Sequence, residues 1–123
     1  MLMNRQEKGK QGEEAAVKYL EKNNYKILDK NFYTRSGEID IVALDQNKKE
    51  MVFIEVKARG SNQFGYPEEA VDERKLRKMI KTAKIYTQAH PTKCYRFDCM
   101  AISMDYQTNL ATIRHYHNIG LNF

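Results

Sequence analysis

Apolar positions along this chain fall into two alternating kinds of period. Ala15, Ala16, Tyr19 and Leu20 recur at helical spacing within a stretch from about Arg5 to Asn23, and Asn23-Asn24 supplies a helix stop. Tyr25 to Phe32, with Tyr25 and Ile27 on one side, reads as a short strand, followed by the turn signal Arg35-Ser36-Gly37. The runs EIDIVALD (Glu38 to Asp45) and MVFIEVKA (Met51 to Ala58) are rich in Ile and Val and are separated by the polar QNKK, which predicts a hairpin. Their apolar residues are nearly continuous, as expected for strands covered on both faces. Residues 60–67 read as a loop. From Glu68 to about Ala89 the helical period returns in Ala70, Leu76, Met79, Ile80, Ala83 and Tyr86, and His90-Pro91 ends it because proline disfavours a helical residue before it. Tyr95 to Ser103 and Leu110 to Tyr116 read as two closing strands. The order α-β-β-β-α-β-β predicts an α/β fold with a mixed central sheet flanked by helices.

With 123 residues and no repeat, linker or low-complexity tract, residues 1–123 are expected to form a single domain. Apolar residues at 41% and charged residues at 30% are ordinary for a globular protein. The opening MLMNRQEKGK is polar where a secretory signal would be apolar, and no apolar run approaches the ~20 residues of a membrane span. A cytoplasmic protein without a membrane partner is expected. Cys94 and Cys99 are then free thiols in a reducing compartment. Two cysteines cannot make a structural zinc site, and His90, His115 and His117 show no ligand spacing with them.

Charged residues inside the apolar hairpin carry the candidate chemistry. A four-residue loop at 46–49 sets Asp45 opposite Glu50 and Asp40 opposite Glu55. Directly opposed carboxylates are destabilising unless something compensates them. Alternation puts Lys57 on the face of Glu55 and, in the same register, opposite Glu38. A hard divalent cation is the economical compensation: Mg²⁺ takes one or two carboxylates and binds phosphate oxygens, and a neighbouring lysine stabilises the charge built on an attacked phosphate. The Val56 carbonyl is a candidate further ligand. The competing reading is a Glu55–Lys57 pair at the sheet rim with Asp40 in solvent. A buried Asp and Glu without a partner would be expensive, which weighs against it.

Asp40 followed fifteen residues on by Glu55-Val56-Lys57 resembles the D…(D/E)xK signature of the restriction-endonuclease-like superfamily, whose core order of helix, three strands, helix and strand matches the elements above. More closely, Gly12-Glu13, Asn31, GEID (37–40), FIEVKAR (53–59), Phe64-Gly65, Lys75, Ala83 and Arg96-Phe97-Asp98 resemble the YraN-like family, a group of predicted endonucleases similar to archaeal-type Holliday junction resolvases. The resemblance spans nearly the whole chain. It implies Asp40 and Glu55 as metal carboxylates for Mg²⁺ or Mn²⁺, Lys57 as the catalytic lysine, and Glu13 as an additional metal ligand or water-orienting group. Glu13 near a helix start equally suits the helix dipole. Glu38 matches the family motif, with a structural partnership to Lys57 or Arg35 as its plainer role. Ile39 stands where the superfamily signature has proline.

The formal charge of +5 raises the expectation of a polyanionic partner. Between Arg74 and Lys84 lie six basic residues, Arg74, Lys75, Arg77, Lys78, Lys81 and Lys84, and no acidic one. On a helix, Arg74, Arg77, Lys78 and Lys81 form a stripe away from Leu76, Ile80 and Ala83, suited to phosphate contacts that give affinity without sequence reading. A solvated helix face is the alternative. Arg35 and Arg59 are further candidates for the backbone, and Tyr33, Phe64 and Tyr66 for stacking on unpaired bases. Arg96 and Asp98 share a strand face and read as a structural ion pair; His115 and His117 likewise share a face and receive no chemistry. The expected function is a metal-dependent endonuclease on DNA, with branched or junction DNA as the substrate implied by resemblance and RNA as an open alternative. Two symmetric cuts in a four-way junction would call for a homodimer. The rivals are a non-catalytic nucleic-acid-binding module and an accessory protein-interaction subunit that keeps the fold.

Overall fold

The computed structural model describes residues 5–60, 71–105 and 107–120. Helix α1 (Arg5–Lys22) leads into strands β1 (Tyr25–Thr34), β2 (Gly37–Asp45) and β3 (Glu50–Gly60); helix α2 (Glu73–Ala89), β4 (Tyr95–Asp105) and β5 (Leu110–Tyr116) follow. The five strands lie side by side in chain order, antiparallel except for β3 and β4, which run parallel. The expected α/β architecture and element order are therefore observed. Parallel neighbours need a crossover, and α2 is that crossover. No helix among the described residues is long and apolar enough to cross a membrane.

Two apolar layers explain why the hairpin strands lack clean alternation. On one face Ala16 and Leu20 of α1 pack with Ile41, Ala43, Val52, Ile54, Met100 and Ile102. On the other, Ala83 and Tyr86 of α2 pack with Ile39, Val42, Met51 and Phe53, and Leu76 and Met79 with Val71 and Cys99. Every second residue of β2 and β3 thus meets a different helix, so both parities are apolar.

Local signals set the boundaries. α1 stops before Asn24, whose φ of 66° is left-handed. Expected to begin at Glu68, α2 instead starts at Glu73: Asp72 has extended backbone and its carboxylate accepts the Lys75 N–H at 2.8 Å, which caps the helix there. Residues 68–70 lie outside the described set. Gly12 lets α1 approach β3 closely, because a Cβ there would overlap that of Ala58. Gly37, at φ 149° in a conformation that L side chains rarely adopt, lies against Lys78 and Thr82 of α2.

A candidate carboxylate centre in the fork between β2 and β3

The expected register holds over the hairpin, from Asp45 opposite Glu50 to Ile41 opposite Ile54. It stops one residue short of Asp40 and Glu55, and Glu38 pairs with Tyr33 of β1 rather than with Lys57. The cause is Asp40 itself, whose Oδ2 accepts the backbone N–H of Val56 at 2.8 Å. A side chain here replaces the next rung of the ladder. β2 also changes phase at this point: Ile39 packs on the α2 side and Ile41 on the α1 side, although residues two apart share a face in an unbroken strand. Across from Asp40 on β1, between the pairs Lys30–Ile41 and Phe32–Ile39, Asn31 has a left-handed φ of 53°. Both strands are thus irregular where the acid sits.

Glu55 follows Phe53 on the α2 face of β3 and its side chain is 5% exposed. Burial first, then the charge of Glu55, push the Asp40 carboxyl up to about 7; a hydrogen bond between the two carboxyls and the charge of Glu38 act the same way, and the Val56 N–H opposes them. Glu13, half-buried on α1, also has its proton affinity raised, by burial and then by Asp40, against a hydrogen bond from Asn31. Glu13 thus feels the charge of Asp40, and it follows Gly12, which lets α1 approach β3 closely.

Lys57 is half-buried two residues beyond Glu55, beside Ala101 of β4. The cation that touches Glu55 is a different one: Lys75 Nζ of α2 stands 2.5 Å from Glu55 Oε1. Burial works against the charged ammonium, but the Glu55 hydrogen bond and the charges of Glu55, Asp40 and Glu38 outweigh it and raise its pKa. Sequence reasoning counts Lys75 among six basic residues suited to nucleic-acid contact, outside the stripe of Arg74, Arg77, Lys78 and Lys81; its inward turn is fixed by how α2 docks on the sheet. Arg74, Arg77, Lys78 and Lys81 are exposed, with Arg77 paired to Glu73 one turn back. Arg74, Lys75 and Lys78 line a hollow of about 430 Å³ with Gly37, Glu38, Asp72 and Met79. Arg35 is exposed in the β1–β2 turn that abuts α2 through Gly37. Tyr33 is exposed, and its hydroxyl is made less acidic first by the charge of Glu38. Phe64, Tyr66 and the side chain of Arg59 lie outside the described residues.

A second polar cluster lies on the α1 face at the other end of the sheet. The buried Arg96 guanidinium meets Asp45 (2.9 Å), Glu50 (3.2 Å), Asp98 (3.1 Å) and the Tyr25 hydroxyl (2.8 Å). Asp98 also faces His115 Nε2 at 2.7 Å and His117 Nδ1 at 3.4 Å, and accepts the Asn118 N–H. The expected Arg96–Asp98 pair is present, joined by histidines from β5 and the turn after it. Asp98, His115 and His117 could offer a metal three ligand atoms within 4.8 Å of one another. Both Asp98 oxygens are already engaged by the guanidinium and other donors, which makes the cluster a self-compensated ion network.

An α/β fold with an acidic centre at a fork in its sheet is thus the class to which this chain belongs. Residues 12–102 match the model of the Uncharacterised protein family UPF0102, and the chain is a member of that family. A UPF0102 protein of Persephonella marina is 47% identical over 97 residues, covering 77% of this chain and 82% of the relative. One from Fusobacterium nucleatum is 48% identical over 101 residues (80% and 83%), and one from Caldicellulosiruptor saccharolyticus 41% over 113 residues (90% and 94%).

Proposed function

We propose that the chain is a metal-dependent endonuclease that hydrolyses DNA phosphodiester bonds, with branched or junction DNA as its substrate and a homodimer as its working form on a four-way junction. The observation that carries this reading is the placing of half-buried Asp40 beside buried Glu55, where burial first and the charge of Glu55 second push the Asp40 carboxyl up to about 7. Two such carboxylates fit a hard divalent cation, Mg²⁺ or Mn²⁺, which prefers carboxylate and carbonyl oxygens. Asp40 and Glu55 would hold it, with Glu13 as a further carboxylate. The Val56 carbonyl joins them: its N–H is aimed at Asp40, and in a strand the N–H and C=O of one residue point to the same side. When bound, the ion supplies Lewis-acid polarisation of the scissile phosphate.

The chain's own residues do the rest. Lys57, on the row of Glu55, stabilises negative charge that builds on the phosphate and helps orient the attacking water. Arg35, Arg74 and Lys78, on the same side of the molecule, hold flanking phosphates and read shape rather than bases. A non-catalytic nucleic-acid-binding module is favoured by one observation: Glu55 already has a cation, Lys75.

The test is cleavage of linear, flap, single-stranded and four-way-junction DNA, with an RNA control, in Mg²⁺, Mn²⁺ or EDTA. Cleavage is expected with either metal and not in EDTA, and it should fall at least about 100-fold in Asp40→Asn and Lys57→Ala, the scale of losing one preorganised charge group. Cleavage that persists in both variants overturns the site; metal-independent binding without cleavage anywhere favours the binding module.

A further inference from the structure

Lys75 has an unusual place for a residue in a basic helix run. Its neighbours Arg74, Arg77, Lys78 and Lys81 are exposed, whereas it turns toward the sheet and ends on a nearly buried carboxylate. The position is built. Asp72 caps α2 through the Lys75 N–H, which fixes where the helix begins. Leu76 and Met79 then dock against Val71 and Cys99, and Cys99 is the β4 partner of Glu55. That docking aims the Lys75 stem at Glu55, while the partly exposed side chain keeps a path back to the hollow shared with Arg74 and Lys78.

Resting on the proposed metal site, we infer that Lys75 is an internal counter-ion: in the metal-free protein its ammonium occupies the cation's place on Glu55, and arrival of a divalent ion displaces it into the hollow beside Arg74 and Lys78, where it takes a substrate phosphate. Two cations cannot share Glu55 Oε1 at 2.5 Å without repulsion, so ammonium and divalent ion exclude one another. The hollow offers the displaced lysine Glu38 and Asp72 as neighbours when empty and a phosphate when filled. Metal loading and nucleic-acid grip are thereby linked through one side chain. The cation on Glu55 is Lys75 and not Lys57, so Lys57 has no part in that exchange.

The experiment measures Mn²⁺ binding by calorimetry in the full-length, tag-free protein and in Lys75→Met and Lys57→Met, without DNA. Lys75→Met should bind Mn²⁺ about tenfold more tightly, because no charge-assisted hydrogen bond has to be broken first, and Lys57→Met should not. Thermal melting gives a second reading: Lys75→Met melts lower than wild type in EDTA and gains more from Mn²⁺. Equal or weaker Mn²⁺ binding in Lys75→Met overturns the inference while leaving the metal site intact. Absence of Mn²⁺ binding in wild type and Lys75→Met alike overturns the metal site, and the inference with it.

Discussion

Two acidic clusters stand at opposite ends of one sheet, and they handle buried charge in opposite ways. On the α1 face, Asp45, Glu50 and Asp98 surround a guanidinium that is 3% exposed. Burial alone would raise the Asp45 and Asp98 carboxyls, but Arg96, His115 and backbone N–H groups outweigh it and hold both below the usual carboxylate range. In the fork between β2 and β3, burial meets no comparable donor set, and Asp40 rises to about 7. Burial of an acid is therefore not what distinguishes a candidate reactive centre. What distinguishes it is whether the fold also supplies the compensating donors. A cluster with its own arginine is complete, whereas one short of positive charge is where the proposed cation from outside would be accommodated.

Removal of Arg96 is the strongest way to break that contrast. Arg96→Met strands several carboxylates and should lower unfolding free energy by about 3–5 kcal/mol, read from urea denaturation. A loss below 1 kcal/mol would mean that the network is not self-contained. A smaller effect is expected from Gly12→Ala, about 1–3 kcal/mol from the forced separation of α1 and β3, together with weaker metal binding as Glu13 is pushed away. Weakened stability with unaltered metal affinity would detach Glu13 from the centre.

The two clusters also differ in the sign of their pH dependence. Asp40 rises from 3.8 to about 7 on folding, so its contribution is fully present below pH 3.8 and is lost as pH climbs through about 7. Asp45 and Asp98 fall below 3.8 on folding, so theirs is present above that value and is lost as pH drops through their folded values. In metal-free buffer, Asp40→Asn should flatten the decline between about pH 4 and 7 and raise Tm at pH 8 by several degrees, leaving the acid limb unchanged. An unchanged slope would show that Asp40 is not the strained acid. Least of all, Asp72→Ala should cost about 1 kcal/mol through the lost cap. Its sharper consequence is a loosened Lys75–Glu55 contact, visible as tighter Mn²⁺ binding.

Much of this is legible in the sequence. The order of elements followed from apolar period and turn residues, and a loop of the right length gave the hairpin register as far as Ile41 and Ile54. The Arg96–Asp98 pair followed from strand alternation. What stayed hidden depended on placement across the fold. His115 reaches Asp98 because β5 lies beside β4, and Asp45 reaches Arg96 because β2, β3 and β4 stack in order. Lys75 looked like one charge among six, since sequence period fixes a helix face only to within the width of a stripe and cannot say which edge of it meets the sheet. The halted ladder at Asp40 was hidden for another reason: regular pairing is the default extrapolation, and a carboxylate that takes a backbone donor leaves no mark in hydropathy.

That substitution has a practical side. The Val56 amide proton is held by a carboxylate instead of a carbonyl, 2.8 Å from the acid that titrates near neutrality. Its resonance in the spectrum of nitrogen-15-labelled protein is therefore a reporter that needs no attached probe, placed by the fold beside Asp40. Proton uptake by Asp40, or arrival of a cation on the same oxygens, should move that backbone peak on half-buried Val56.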